Sequence, residues 1–157
     1  MTAPAPEVWF YHLMTQPLES ALPTLLERAG QRGWRVVVQV GSARRLHALD
    51  ELLWTYAPDS FLPHGSARDG DPDLQKVWLT TEGDNPNAAQ VRICADGASA
   101  QDAAHSGEAY ERVILIFNGA DDSALLAARS QWKSLKEKSF LLSYWQQTEN
   151  GGWEKKA

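Results

Sequence analysis

The six residues Arg35-Val36-Val37-Val38-Gln39-Val40 constrain the fold more than any other part of this chain. A strand with one face in water shows a polar residue at every second position. A run that is apolar on both parities has to be covered on both faces, as in a parallel strand inside an α/β sheet. Arg112-Val113-Ile114-Leu115-Ile116-Phe117 is a second run of the same kind. Two such strands need helices above and below, and the intervening segments supply them. Leu22, Leu25, Leu26 and Ala29 follow the i, i+3, i+4, i+7 spacing of a helix packed on a sheet. Ala43, Leu46, Leu49, Leu53 and Tyr56 form a second stripe, with Arg44, Arg45, His47, Asp50 and Glu51 mostly on the opposite side. Strand alternating with helix is the βαβ signature. The expected class is α/β: a three-layer α/β/α fold with a mixed, largely parallel sheet, nucleotide-binding-like but without a nucleotide motif.

The rest of the chain fits around this frame as one domain over 1–157. Glu7 to Leu13 reads as the first strand, bounded by Pro6 and Gln16-Pro17. Pro23 leaves two readings of the following helix: a main helix starting at Pro23, or one longer helix kinked there. Gly41-Ser42 turns the chain, with Ser42 as N-cap. Residues 65–75 and 81–89 are rich in Gly, Asp, Asn and Pro and read as loops. Lys76 to Thr80 and Gln90 to Ala95 are short strands, expected to pair antiparallel because their connection is short. Residues 96–111 hold at most a weak helix. Asn118 to Asp122 supply turn and cap chemistry for a long helix reaching about Lys138. Phe140 to Gln147 is extended, and Asn150-Gly151-Gly152 opens an expected mobile tail over 148–157.

Charge narrows the function classes. The net charge of −5 lacks the basic footprint of a dedicated nucleic-acid domain. Residues 59–122 carry four basic and twelve acidic groups, whereas 123–157 carry six basic and three acidic. Such a chain selects an acidic partner at its C-terminal part and repels anions elsewhere. Cys94 is the only cysteine, which excludes a disulfide scaffold. Met1 to Pro6 reads as no secretory signal and no apolar run is long enough to span a membrane, so the expected compartment is the cytoplasm.

Catalytic chemistry is absent from the motifs. The turn Val40-Gly41-Ser42-Ala43-Arg44-Arg45 is the place for a phosphate cradle, but no glycine-rich nucleotide motif occurs there or elsewhere. His12, His47, His64 and His105 make no metal-ligand spacing, and His64 reads as a donor to a backbone carbonyl. Ser42, Ser60 and Ser66 lie in no nucleophile elbow. No catalytic residue, metal ligand or cofactor site is expected.

Two surfaces remain. One is the aromatic group Trp54, Tyr56, Pro58, Phe61 and Leu62, readable either as core or as docking surface. The other is the last helix, where Arg129, Trp132, Lys133 and Lys136 fall within one arc of about 100° at 100° per residue. Ala124, Ala128 and Leu135 face the sheet, which leaves Trp132 on the border of the buried stripe. A cationic rim beside an aromatic wall suits a peptide with acidic side chains and an apolar end, although a solvated lysine face is the common meaning of such a run.

Nearly the whole chain resembles the chi subunit of bacterial DNA polymerase III. The resemblance is carried by Trp9-Phe10-Tyr11, the stretch Gly33 to Val38, Leu49-Asp50-Glu51-Leu52-Leu53-Trp54 and Ser60-Phe61-Leu62-Pro63-His64. The Arg129 to Lys133 helix and Tyr144-Trp145-Gln146-Gln147 complete it. The resemblance implies a non-catalytic accessory subunit in DNA replication. It would link the clamp loader, through the psi subunit, to the acidic C-terminal peptide of single-stranded DNA-binding protein, which ends in phenylalanine. DNA would be reached only indirectly. By resemblance the peptide site falls on Arg129, Trp132 and Lys133, with Lys136 on the same face, and Leu125 stands where a relative has lysine. The psi-docking surface would be Trp54, Pro58, Phe61 and Leu62, a face that in this family also docks a repair helicase. A nucleotide-binding enzyme and a direct single-stranded DNA binder using stacked tryptophans are the competing classes.

Overall fold

A valine run that must be covered on both sides sits where that requirement is met. The structure, a computed structural model, describes residues 5–55, 64–67 and 69–157. In chain order the elements are β1 (Glu7–Leu13), α1 (Leu18–Gln31), β2 (Val36–Gln39), α2 (Ala43–Thr55) and β3 (Gly65–Ser66). A 3-10 turn (Pro72–Leu74), β4 (Val77–Thr80), β5 (Val91–Cys94) and α3 (Ala100–Ala104) follow. The chain continues through β6 (Arg112–Asn118), α4 (Asp122–Glu137), β7 (Leu142–Gln147) and β8 (Trp153–Lys155). The strands form one sheet in the order β3-β4-β2-β5-β6-β1-β7-β8, parallel throughout except that β8 runs against β7.

Strand parity sorts the side chains into two cores. Val36, Val38, Val40, Tyr11, Ile93, Ile114 and Ile116 face α1 and α2, meeting Leu22, Leu25, Leu26, Leu49 and Leu53. Val37, Val8, Phe10, Cys94, Val113, Leu115 and Phe117 face α3 and α4, meeting Ala100, Ala128 and Leu135. Both faces of β2 and β6 are therefore sealed, and the three-layer α/β/α architecture follows.

The start of the second helix is capped as expected: Ser42 Oγ accepts from the Arg45 amide at 3.3 Å. Asp121 caps α4, its carboxylate accepting from the Ser123 and Ala124 amides at 3.0 and 3.2 Å. Of the two readings at Pro23, the structure shows a single helix from Leu18 that runs through it. Within 65–75, expected as loop, the chain adds the two-residue edge strand β3 and the 3-10 turn.

The expected antiparallel pairing of the strands at 77–80 and 91–94 is wrong. β4 and β5 both pair parallel with β2, which lies between them. A parallel pairing usually takes a crossover of a dozen or more residues, and the short connection argued against one. Strands of four residues span only ~13 Å, and the loop 81–90 has ~30 Å of extended reach, so a bare loop returns the chain to the other end of the sheet. Arg92, 1% exposed, holds that loop in place. Its guanidinium donates to the Asp84 carbonyl (2.6 Å), the Glu82 carbonyl, the Gln39 amide oxygen (2.6 and 3.1 Å) and the Tyr110 hydroxyl (3.0 Å). Asn87 fastens the same loop to β2 by donating to the Val36 carbonyl at 3.1 Å.

The segment 148–157, expected as a mobile tail, instead folds back as a hairpin. β8 pairs with β7 through Trp145↔Lys155 to Gln147↔Trp153, and the Trp153 ring lies 4.6 Å from Tyr11.

Candidate functional site

The crevice at the carboxyl ends of β1 and β6 is where an α/β sheet usually takes a ligand. Its volume is about 830 Å3. Its chemistry is wrong for phosphate. Glu19, Asp96 and Asp121 line it, and Arg45, the one arginine among its described lining residues, is held by Glu19 (2.5 Å) and Asp96 (2.9 Å). Burial alone would raise the Glu19 pKa, but hydrogen bonding to Arg45 and its charge hold it below its usual value. The Gly41 amide, which a phosphate cradle would need, donates to the Asp96 carbonyl at 3.1 Å. A Cβ at Gly41 would come 2.2 Å from that same oxygen, so the glycine serves this close approach.

The exposed side of α4 is different. Ala128 and Leu135 bury against the sheet while Arg129, Lys133 and Lys136 are exposed. Trp132 is half-buried, as its border position requires. Its ring meets Phe10 (5.2 Å, 78°) and Tyr144 of β7 (5.7 Å, 79°), both edge-to-face. Tyr144 in turn donates to or accepts from His12 Nδ1 at 2.7 Å, and the His12 ring lies 5.0 Å from Phe117. Leu125 is half-buried in the same group. The result is an aromatic wall built from β1, β6, β7 and α4, edged by cations.

Arg129 is close enough to act on this wall electrostatically. Burial, then the Arg129 charge, lowers the His12 pKa below its ordinary value, keeping the imidazole neutral near pH 7. Burial raises the Tyr144 pKa, partly offset by Arg129, so the phenol stays protonated. Among the described residues, Arg129, Lys133 and Lys136 form no salt bridge. Their charged groups are exposed.

The structure thus brings together Arg129 and Trp132, with Lys133 and Lys136 on the same helix side. It adds His12, Tyr144 and Phe10, which the sequence did not assign to this site. Tyr144 lies 132 positions from His12, and only the β1–β7 pairing makes them neighbours.

Of the second surface, Trp54 lies in the last turn of α2 and is 47% exposed, its ring 4.4 Å from His64. Pro58, Phe61 and Leu62 lie outside the described residues. His64 takes the role expected of it, its Nε2 lying 3.1 Å from the Asp50 carbonyl oxygen and 3.0 Å from the Asp50 carboxylate.

The family described as "DNA polymerase III chi subunit, HolC" matches residues 5–143. A protein of Rickettsia prowazekii (strain Madrid E) named "Probable DNA polymerase III subunit chi" is 28% identical over 109 residues. That match covers 68% of this chain and 66% of the relative, just under two thirds of the relative's length.

Proposed function

The chain belongs to the DNA polymerase III chi subunit family, and from that premise we propose that it is a non-catalytic adaptor of the replicative polymerase. The α4 face captures the acidic C-terminal peptide of single-stranded DNA-binding protein, and the end of α2 docks the clamp loader's psi subunit. The observation that carries the first half is Arg129 beside the Trp132–Tyr144–Phe10 wall. The peptide's terminal phenylalanine would pack against the wall, and its carboxylates would meet Arg129, Lys133 and Lys136. A charged hydrogen bond of this kind contributes ~1.5–3 kcal/mol. Two of them with an aromatic contact support roughly micromolar affinity after ordering costs.

The second half rests on the exposed Trp54 and on family membership. A large exposed aromatic at a helix end is a suitable anchor for a partner, whether psi or a repair helicase. The acidic crevice with its occupied Gly41 amide argues against the nucleotide-enzyme reading.

The test is titration with an acidic peptide ending in Asp-Ile-Pro-Phe, following tryptophan fluorescence. Wild type should saturate at micromolar peptide, more weakly at higher salt because exposed charges are screened beyond ~10 Å at 0.1 M. Arg129→Ala, Trp132→Ala and a peptide lacking the terminal Phe should each lose binding. Equal affinity in Arg129→Ala and wild type would refute the assignment of the site.

A further inference from the structure

The reverse face of β1 holds a second aromatic assembly that the adaptor role does not use. Phe10 and His12 point toward α4; Trp9 and Tyr11, on the other parity, point under the C-terminal half of α1. There a cavity of about 390 Å3 is walled by Trp9, Tyr11, Arg28, Arg32, Trp34 and Arg112. This volume falls within the ~300–1,000 Å3 range of small-molecule sites.

The planar groups form a ladder. The Trp145 and Trp9 rings stack at 5.2 Å and 23°. The Arg112 guanidinium lies 3.6 Å from the Trp9 ring centre and 5.1 Å from that of Trp34, and the Arg32 guanidinium lies 4.4 Å from Trp34. The exposed end of this ladder is Arg32.

No described carboxylate pairs directly with the cations of the ladder. Among the described residues, Arg28, Arg32 and Arg112 make no salt bridge and no side-chain hydrogen bond. The Arg112 Nε is buried without an acceptor. Burial lowers the Arg112 pKa and the charge of Arg32 adds to this; Tyr11, then Glu7 and Glu111 from beyond salt-bridge distance, only partly offset it. Arg28 and Arg32 also suit the negative end of α1, but Arg112 comes from the sheet and has no such reason to be there. Arg112, half-buried without a paired anion and repelled by Arg32, costs the protein desolvation and repulsion that a bound anion would reverse.

A carboxylate brings one negative charge, and a phosphate monoester ~1.5–2. Guanidinium forks also match phosphate oxygens, and the flat walls match a base. We propose that this cavity binds a nucleotide unit, its phosphate held among Arg28, Arg32 and Arg112 and its base stacked at the Trp34–Arg32 end of the ladder. The unit comes either from a free mononucleotide or from the end of a single DNA strand.

The seven tryptophans make the test direct, since each gives one indole N–H signal in a nitrogen–proton NMR spectrum. Trp9→Phe, Trp34→Phe and Trp132→Phe assign the signals that matter. The probes are inorganic phosphate, dAMP, a 5′-phosphorylated oligo-dA and, for the α4 face, the acidic peptide. The expected result is a saturable shift of the Trp9 and Trp34 indoles with dAMP or the oligonucleotide while Trp132 stays still. Arg28→Gln with Arg32→Gln, both at exposed positions, should weaken this binding about tenfold or more. The unmoved remaining indoles show that this variant is folded. Saturation by dAMP at the same concentration as the oligonucleotide assigns a free nucleotide; much tighter oligonucleotide binding assigns a strand end. The proposal is overturned if no phosphate probe moves Trp9 or Trp34, if only Trp132 responds, or if the double variant binds like wild type. Phosphate binding as tightly as dAMP overturns the role of the base.

Discussion

Replacing Arg92 by methionine tests the account of how this sheet is assembled. The side chain is 1% exposed and has no carboxylate partner among the described residues; its acceptors are two loop carbonyls, the Gln39 amide oxygen and the Tyr110 hydroxyl. Methionine fills much of the volume and removes every donor. The Glu82 and Asp84 carbonyls sit in an exposed loop and can turn to water. Gln39 and Tyr110 are packed in the α3–α4 side of the sheet, and each orphaned polar group costs ~1–3 kcal/mol. Against this, the arginine no longer has to be desolvated, which returns part of the loss. The net is ~3 kcal/mol, a large share of the ~5–15 kcal/mol by which a domain is stable. At ~2–4 °C per kcal/mol for a chain of this size, the Tm should fall by ~6–12 °C. Urea unfolding should show a lower midpoint at an unchanged slope. Hydrogen exchange should show that the amides of 81–90 lose protection first, because their loop has lost its anchor. Tyr110→Phe, which removes one acceptor of several, should cost only ~1 kcal/mol. A variant Arg92→Met within ~1 kcal/mol of wild type, with 81–90 still protected, would refute the role given to this arginine.

Other consequences are equally open to measurement. Burial pushes the Cys94 thiol up to about 12, so it should resist a thiol reagent at about pH 8 in the folded protein and react at once in denaturant. The depressed His12 pKa means that, as pH falls, the unfolded chain takes up this proton before the folded one does. The linked stability is present above the ordinary value of 6.5 and is lost as pH falls through the lower folded value; His12→Asn should flatten that decline in pH-dependent unfolding. Gly119→Ala would bring a Cβ 1.8 Å from His12 Nε2. Displacing the ring should cost ~1–3 kcal/mol, break the bond to Tyr144 and weaken peptide binding at the α4 face, readable in one titration and one melt. Truncation after Gln147 removes Trp153 from Tyr11 and should lower the Tm, by calorimetry, whereas a dispensable tail would leave it unchanged.

Some of this structure is legible in local chemistry. The valine run at 36–40 needs cover on two faces wherever it goes, and Ser42 can satisfy an amide three residues on without help from elsewhere. The border position of Trp132 follows from helix periodicity alone. These features depend on residues within a few positions of each other. The geometry of the α4 face was therefore half readable: Arg129, Trp132, Lys133 and Lys136 share a helix, and the helix could be drawn.

The rest depended on which strands became neighbours. Tyr144 joins the wall because β7 lies beside β1, and Trp9, Trp34 and Arg112 meet because β1, β6 and the entry to β2 converge under α1. Arg92 is buried because β5 pairs beside β2 and the return loop must be held down. The buried strands β1, β2 and β6, the helices that cover them and the cap at Ser42 were readable in the sequence alone, since the patterns that mark them lie within one element. Only the tertiary structure decided the strand order, the buried arginine and both aromatic clusters. Each of these is a contact between residues far apart in the chain, and its energy exists only once the sheet has closed.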